Sequence, residues 1–343
     1  MVEPRKVLLI SSINLDKSPT GGVEARSQVL FKYLKSKKEI KLDFIDVSPN
    51  VRNYYTYFLL LIKIVKYRRI IISVSFTGLK LITFLLRFFD KKSITIFIAG
   101  GEIEQYTKNS KLLKLIEKAS LVYVQSKSMV HYVKKVSNKV NVHNLGNFKN
   151  LPLYKAKYKT NKAEVIKLVF LSRVHRDKGI FRAIDTITYL NKNYNDKKFV
   201  LDIYGPIDLT DSDLKQFNVE LKDDRINYKG YLKLNESDGY SKLSKYHFFV
   251  FLTTHPGEGF PGVLIDALYS KTHIIASDWK YNNEIVPSRG LLVDLESNDY
   301  QTQIFYYIKS VLEKEEVDYQ SELDSFKKES YKYEINSIEF KIA

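Results

Sequence analysis

Residues 255–286 read HPGEGFPGVLIDALYSKTHIIASDWKYNNEIV and follow an apolar, strand-like run, FFVFLTT. Pro256 and Gly257 predict a loop after this strand, and Pro261 suits the first turn of a helix, where its missing N–H costs nothing. The free backbone N–H groups of that first turn would point outwards, where the helix dipole favours phosphate or another anion. These groups belong to Gly262, Val263 and Leu264.

Two carboxylates accompany the predicted helix start. Glu258 lies just before it and Asp266 lies within the helix. A carboxylate in such a position either contacts a ligand or compensates the helix dipole, and spacing alone leaves both interpretations open.

A second polar stretch, LSRVHRDKGIFRAIDTI, occupies residues 171–187. Arg173 and Lys178 lie in its predicted strand-to-helix turn. Two long cations at the carboxyl edge of a parallel strand can hold a diphosphate, Arg through its bidentate fork and Lys as a point charge. The alternative is a solvated basic turn in a Lys-rich chain. His175 and His255 are the histidines next to the two stretches.

Short β-branched runs alternate with helical patterns along the rest of the chain. The predicted strands cover residues 6–12, 42–47, 70–75, 93–99, 121–125, 140–145, 166–172, 199–204, 226–229, 248–253, 273–277 and 291–294. Such alternation predicts parallel sheets, and 343 residues suffice for two domains. We therefore predict an α/β fold of two Rossmann-like, doubly wound domains that face each other across a cleft.

A polar, Lys-rich stretch around Pro152 interrupts the alternation and predicts an interdomain linker. The predicted organisation is a first domain at residues 1–150, a linker at 151–162, a second domain at 163–320 and a helical tail at 321–343.

The chain lacks the residues that several classes of chemistry require. Cysteine is absent, which removes disulfides, thiolate nucleophiles and cysteine-bound zinc. The six histidines have no metal-ligand spacing, and no GxGxxG, GxxxxGK[ST] or GxSxG motif occurs. We therefore expect no metal and no cofactor.

The charge is distributed unevenly. Residues 1–160 hold 30 Lys and Arg against 10 Asp and Glu, whereas the remaining residues hold 25 against 29. The first half is therefore expected to meet an anionic membrane surface, a phosphorylated substrate or nucleic acid. No nucleic-acid recognition motif accompanies the charge, so nucleic acid is not expected as a partner.

Basic residues are interleaved with apolar ones at residues 54–69 and 79–92. Either these are ordinary core helices with solvated lysines, or they form a face that lies on the inner leaflet of a membrane. Their apolar runs are too short to span a bilayer, and the start of the chain does not resemble a secretory signal. The expected location is the cytoplasm, with peripheral contact at the plasma membrane.

Two glycine pairs follow predicted strands of the first half, where backbone can approach a ligand closely. Gly21 and Gly22 precede the first helix. Gly100 and Gly101 follow the fourth strand, together with Glu102 and Glu104. Turns of this kind also use glycine for purely local reasons, so each pair alone is a weak signal.

Taken together, these stretches resemble the retaining family 4 glycosyltransferases of the GT-B fold, the glycosyl transferases group 1. The resemblance runs through residues 21–34 (GGVEARSQVLFKYL), NVHNLGNF, LSRVHRDKG, VLDIYG and EGFPGVLIDALYSKTHIIASDWKYNNEIV. It implies an acceptor domain at residues 1–150 and a nucleotide-sugar donor domain at 163–320.

The resemblance also implies residue roles. Arg173 and Lys178 match the pair that holds the donor diphosphate, and Glu258 matches the first acid of the signature, which contacts the donor sugar. The remaining donor-binding positions are Gly21, Gly22, Phe260, Gly262, Val263 and Asp266, the last of which stands where a second acid holds the ribose.

Two departures from the family pattern affect these roles. Asp266 is shorter than the usual Glu by about 1.5 Å, so its ribose contact is weakened or passes through water. The histidine that many relatives carry after the fourth strand is absent, and Glu102 or Glu104 are candidates to replace it on the acceptor side.

The implied reaction is transfer of a sugar from a nucleotide diphosphate sugar, with UDP expected, to a hydroxyl of a glycan or lipid-linked glycan, with retention of configuration. Capsule, exopolysaccharide or O-antigen assembly is the expected pathway. The alternatives are an inactive GT-B partner subunit that binds sugar nucleotide or glycan, and a basic nucleic-acid-binding protein.

Overall fold

The computed structural model describes residues 3–14, 22–48, 53–74, 76–86, 93–98, 100–101, 103–234, 237–338 and 341–342. The chain divides into two compact units. Unit 1 comprises Met1–Asn150, Gly257–Phe260 and Tyr333–Ala343, and unit 2 comprises Leu151–Pro256 and Pro261–Lys332. The chain thus returns to unit 1 twice. The predicted linker, residues 151–162, lies within unit 2.

Unit 1 is built on a parallel sheet of six strands: β1 (Arg5–Ser11), β2 (Ile40–Asp46), β3 (Arg69–Val74), β4 (Ser93–Ile98), β5 (Leu121–Val124) and β6 (Val142–Asn144). The strand order is β2-β1-β3-β4-β5-β6, so it reverses between β1 and β3. The helices are α1 (Gly22–Ser36), α2 (Tyr54–Lys66), α3 (Phe76–Leu86), α4 (Ile103–Lys108), α5 (Ser110–Lys118) and α6 (Lys127–Val136).

Unit 2 is built on a second parallel sheet of six strands: β7 (Val165–Leu171), β8 (Lys198–Tyr204), β9 (Ile226–Tyr228), β10 (Phe248–Phe251), β11 (His273–Ser277) and β12 (Leu291–Val293). The strand order is β12-β11-β10-β7-β8-β9, which reverses between β7 and β10. The helices are α7 (Ile180–Asn193), α8 (Asp211–Glu220), α9 (Ser237–Leu243), α10 (Gly262–Tyr269), α11 (Tyr300–Leu312) and α12 (Glu316–Ser330).

The central strands of both sheets are continuous apolar runs because helices cover parallel sheets on both faces. Residues 7–10 in β1 and 248–251 in β10 are buried throughout. Each predicted strand overlaps an observed one, with bounds that differ by at most two residues. The prediction of two doubly wound α/β units is confirmed.

Helix α2 carries an exposed apolar stripe. Its large apolar side chains are between 42% and 96% exposed at Tyr54, Tyr55, Phe58, Leu61, Ile62 and Val65. These positions recur at helical spacing and so share one face, while Leu60 and Ile64 bury the other. Within the described part of the chain, no helix combines the length and the apolar character needed to cross a membrane.

Candidate functional site

The two polar stretches singled out from the sequence follow neighbouring strands of unit 2. β7 pairs with β10 at the point where the strand order reverses. In open parallel sheets, ligands bind at the carboxyl ends of the strands at this switch point. The turn after β7 carries Arg173 and Lys178, and the loop after β10 leads into α10.

The turn after β7 is fixed to the loop after β10 by hydrogen bonds. The backbone N–H of Thr254 and the hydroxyl of Thr253 donate to the carbonyl oxygen of Asp177, at 2.8 and 3.1 Å. Gly179 has φ +84°, and a Cβ there would lie 2.1 Å from the carbonyl oxygen of Leu252. His175 caps the turn, because its Nδ1 accepts from the N–H of Asp177 at 3.1 Å.

The two predicted diphosphate cations differ in their surroundings. Lys178 is buried, whereas Arg173 is partly exposed and its Nη1 donates to Oδ2 of Asp208 at 2.8 Å. An exposed ion pair contributes at most about 1 kcal/mol. A diphosphate can therefore replace Asp208 as the partner of Arg173 at little cost.

Helix α10 begins one residue later than the sequence predicted, because Pro261 is its N-cap, and no side chain caps its first turn. Of the three N–H groups predicted to be free, that of Leu264 donates to the carbonyl oxygen of Pro261 at 3.2 Å. Gly262 and Val263 are half-buried there. Asp266 is buried in the same helix and accepts a hydrogen bond from the hydroxyl of Tyr240 at 2.7 Å. The Asp266 carboxylate is therefore held by a tyrosine, which no sequence motif indicated.

The first acid, Glu258, lies in the Gly257–Phe260 segment, which belongs to unit 1. The backbone N–H of Gly101 lies 3.4 Å from the carbonyl oxygen of Gly257. A Cβ on Gly101 would lie 1.7 Å from the carbonyl oxygen of Glu258. This second glycine pair thus permits the close backbone approach that positions the buried Glu258.

Two amide side chains, for which the sequence predicted no role, hold the same region. The Nδ2 group of Asn147 donates to the carbonyl oxygen of Phe260 at 2.9 Å. The Oε1 atom of Gln125 accepts from the N–H of Gly100 at 3.1 Å. Both side chains are buried. Only the tertiary fold brings them to the segment, although Asn147 falls within the NVHNLGNF stretch.

The remaining predicted residues belong to unit 1. Gly22 is the first residue of α1, and Glu104 is half-buried in the first turn of α4. Gly21 and Glu102 lie outside the described residues. Across the described ranges, no three His, Asp or Glu side chains are grouped to hold a metal ion. That the protein needs no metal stays a prediction.

Residues 166–313 match the family described as glycosyl transferases group 1. No curated protein matches the chain in sequence.

Solved structures share the fold at low sequence identity. HepE of Anabaena, solved with UDP, is 13% identical with a TM-score of 0.67, over 97% of this chain and 96% of that one. Sucrose-phosphate synthase of Thermosynechococcus elongatus is 15% identical with a TM-score of 0.65, over 96% and 94%. The pneumococcal O-GlcNAc transferase GtfA, solved with UDP and GlcNAc, is 16% identical with a TM-score of 0.57, over 81% of this chain and 56% of its own.

The family match covers the switch point at which Arg173, Lys178 and the start of α10 lie, and the structural likeness extends over nearly the whole chain. Residues 166–313 therefore resemble a group 1 glycosyltransferase domain, and the two doubly wound units of the chain have the GT-B fold.

Proposed function

We propose that the protein transfers a hexose or related sugar from a UDP-sugar to an acceptor hydroxyl with retention of configuration. The observation that carries this proposal is the unit 2 switch point, where two cations and an uncapped helix start follow adjacent strands. HepE is also solved with UDP-glucose, which supports a UDP-hexose as donor.

The proposed chemistry is mainly electrostatic. The bond from the anomeric carbon to the diphosphate oxygen breaks, a bond to the acceptor oxygen forms, and the proton of the acceptor hydroxyl passes to the departing diphosphate. Arg173, Lys178 and the amides of Gly262 and Val263 stabilise the charge that grows on the departing diphosphate. Glu258 binds hydroxyls of the donor sugar and fixes its orientation. The cations take the place of a metal ion.

The test measures UDP release and glycosyl transfer across a panel of sugar nucleotides. Arg173→Ala and Lys178→Ala are each expected to lower both donor affinity and turnover. Arg176→Ala is the matched control, because Arg176 lies in the same turn but pairs with Asp213 on the surface. Equal effects of Arg173→Ala and Arg176→Ala contradict the assignment.

Two further arms of this test separate related possibilities. A chelator is expected to leave the rate unchanged, and strong inhibition that manganese reverses contradicts the metal-free mechanism. Sugar-nucleotide binding without any turnover supports the alternative that the chain is a binding partner subunit.

The acceptor is proposed to be a glycan or lipid-linked glycan in capsule, exopolysaccharide or O-antigen assembly, reached from the inner leaflet of the plasma membrane. The exposed stripe of α2 supports membrane contact. Residues 47–89 contain no Asp or Glu, and the exposed Lys66, Arg68 and Arg69 lie at the end of α2 and the start of β3. An apolar helix face beside basic side chains suits a surface of anionic lipid.

Co-sedimentation tests this contact with vesicles of phosphatidylcholine, alone or mixed with phosphatidylglycerol. The protein is expected to sediment with the anionic vesicles, and less at high salt because salt screens the attraction. Replacing Tyr55 and Phe58 by Ser should abolish binding. Val219→Ser is the control, since this valine is 60% exposed in unit 2. A protein that ignores anionic vesicles at low salt has no such contact.

A further inference from the structure

Arg26 is a buried cation that has no matching anion in the described part of the chain. It lies near the start of α1 and is 4% exposed. Its Nη1 group lies 3.5 Å from the carbonyl oxygen of Ile98, while its Nε and Nη2 groups are buried and have no hydrogen-bond partner among the described residues. Among the residues that the structure describes, no carboxylate forms an ion pair with it.

The surroundings of Arg26 do not compensate for this burial. The rings of Phe97 and Phe148 lie 5.9 and 5.7 Å from its guanidinium carbon, and burial lowers its pKa to about 10. The side chain is therefore still charged at neutral pH. Replacing a buried charge by an apolar side chain of similar volume is often neutral or stabilising. Packing alone therefore does not account for an arginine here.

The position of Arg26 points to a ligand. Ile98 ends β4, and its carbonyl oxygen lies at the carboxyl edge of the unit 1 sheet. Asn14 follows β1 at the same edge, and its Nδ2 group is also buried and has no hydrogen-bond partner within the described ranges. The N–H of Asn14 donates to Asp46 at 2.8 Å, and its carbonyl oxygen accepts from Gln28 on α1 at 3.0 Å. Two donor side chains are thus held at this edge with unused N–H groups.

We propose that Arg26 and Asn14 bind an oxyanion of the acceptor, so that the enzyme selects an acceptor that carries a carboxylate or a phosphate. This proposal rests on the proposed transferase function and on acceptor binding by unit 1. A guanidinium offers two parallel N–H groups to an oxyanion, and such charge-assisted bonds are stronger than neutral ones. A neutral sugar would leave these donors unpaired, which gives selection against it.

Titration calorimetry on the full chain, with UDP present, tests the proposal. The probes are methyl glucuronide, glycerol phosphate and methyl glucoside, so the two sources of the oxyanion are compared directly with a neutral sugar. The protein is expected to bind one anionic probe about 10- to 100-fold more tightly than methyl glucoside, as one or two charge-assisted hydrogen bonds allow.

Arg26→Met separates this role from a structural one. The variant should fold with an equal or higher midpoint of thermal unfolding, bind UDP as the unmodified protein does, and lose the preference for the anionic probe. Arg26→Lys keeps the charge but not the two parallel N–H groups. This variant should keep part of the preference for the anionic probe. A preference that survives Arg26→Met, or its absence from the unmodified protein, overturns the proposal. Failure to bind UDP instead contradicts the proposed function.

Discussion

The Asp266 carboxylate accepts a hydrogen bond from the hydroxyl of Tyr240 within unit 2. If it also reaches the donor ribose, Asp266→Ala should raise the donor KM more than it lowers kcat, as loss of uniform binding does. Steady-state kinetics with varied donor check this. Tyr240→Phe is the companion variant, since it removes the hydroxyl and keeps the carboxylate. An unchanged KM in Asp266→Ala means that the shorter side chain does not contact the donor.

His247 should make the stability of unit 2 sensitive to acid. Burial lowers its pKa to about 3, and its Nδ1 accepts from the N–H of Lys167 at 3.0 Å. Protonation of Nδ1 would place its new N–H group against the backbone N–H of Lys167, so that two donors face each other. In the unfolded chain the pKa is about 6.5, so the unfolded state takes up the proton first as the pH falls.

The stabilisation from neutral His247 is therefore complete above pH 6.5 and decreases towards pH 3, by up to about 1.4 kcal/mol per pH unit. Urea unfolding at pH 7, 6 and 5 measures the free energy. His247→Gln should show a smaller dependence on pH. Equal slopes for the variant and the unmodified protein contradict this prediction.

Among the connecting elements, the loop after β4 has the tightest backbone constraint near Glu258. Gly101→Ala would place a methyl group 1.7 Å from the Glu258 carbonyl oxygen, so the Gly257–Phe260 segment must shift. We expect turnover to fall at least tenfold, because misplacing a contact by 1 Å is costly. Kinetics and thermal unfolding are measured together. Turnover equal to that of the unmodified protein shows that the segment adapts.

The strands and the start of α10 could be predicted because their signals are local. β-branched runs of four to seven residues identify strands, and Pro261 identifies the helix start by its fixed backbone angle. The side chains that hold the region around Glu258 could not be predicted in this way. Asn147 donates to the carbonyl oxygen of Phe260, which is 113 positions away, and Gln125 accepts from the N–H of Gly100. The burial of Arg26 depends on β4 and on Phe148 in the same way.

For helix α2, the sequence pattern did not determine which environment the helix occupies. Its alternation of apolar and basic residues was compatible with a core helix or with a surface face. The exposed stripe at Tyr54–Val65 decides for a surface helix, because only Leu60 and Ile64 of the helix are buried. What the stripe contacts is the subject of the vesicle experiment.

On the scale of the whole molecule, unit 1 depends on the end of the chain. The N–H of Lys149 donates to the carbonyl oxygen of Tyr333 at 2.9 Å, and the N–H of Ile335 donates to that of Lys149 at 2.8 Å. Ile335 is buried in the same core cluster as Phe148. Deleting residues 333–343 should therefore destabilise unit 1 by removing core contacts and two backbone hydrogen bonds.

Hydrogen exchange measured by mass spectrometry on intact and shortened chains tests this dependence. Protection is expected to fall first in β1 and β5, which contribute Leu9 and Tyr123 to that cluster, and to persist in β10 of unit 2. Equal loss of protection in both units, or none, contradicts the assignment of the terminus to unit 1.

The return of Gly257–Phe260 to unit 1 sets a rule for making chimeras. A single crossover after residue 150 would take Glu258 from one parent and its neighbours Gly101 and Asn147 from the other. Exchange of unit 2 between two proteins of this fold thus needs additional junctions around 257–260 and at residue 333. With these junctions Glu258 comes from the same parent as the rest of unit 1, although in the sequence it lies between two parts of unit 2.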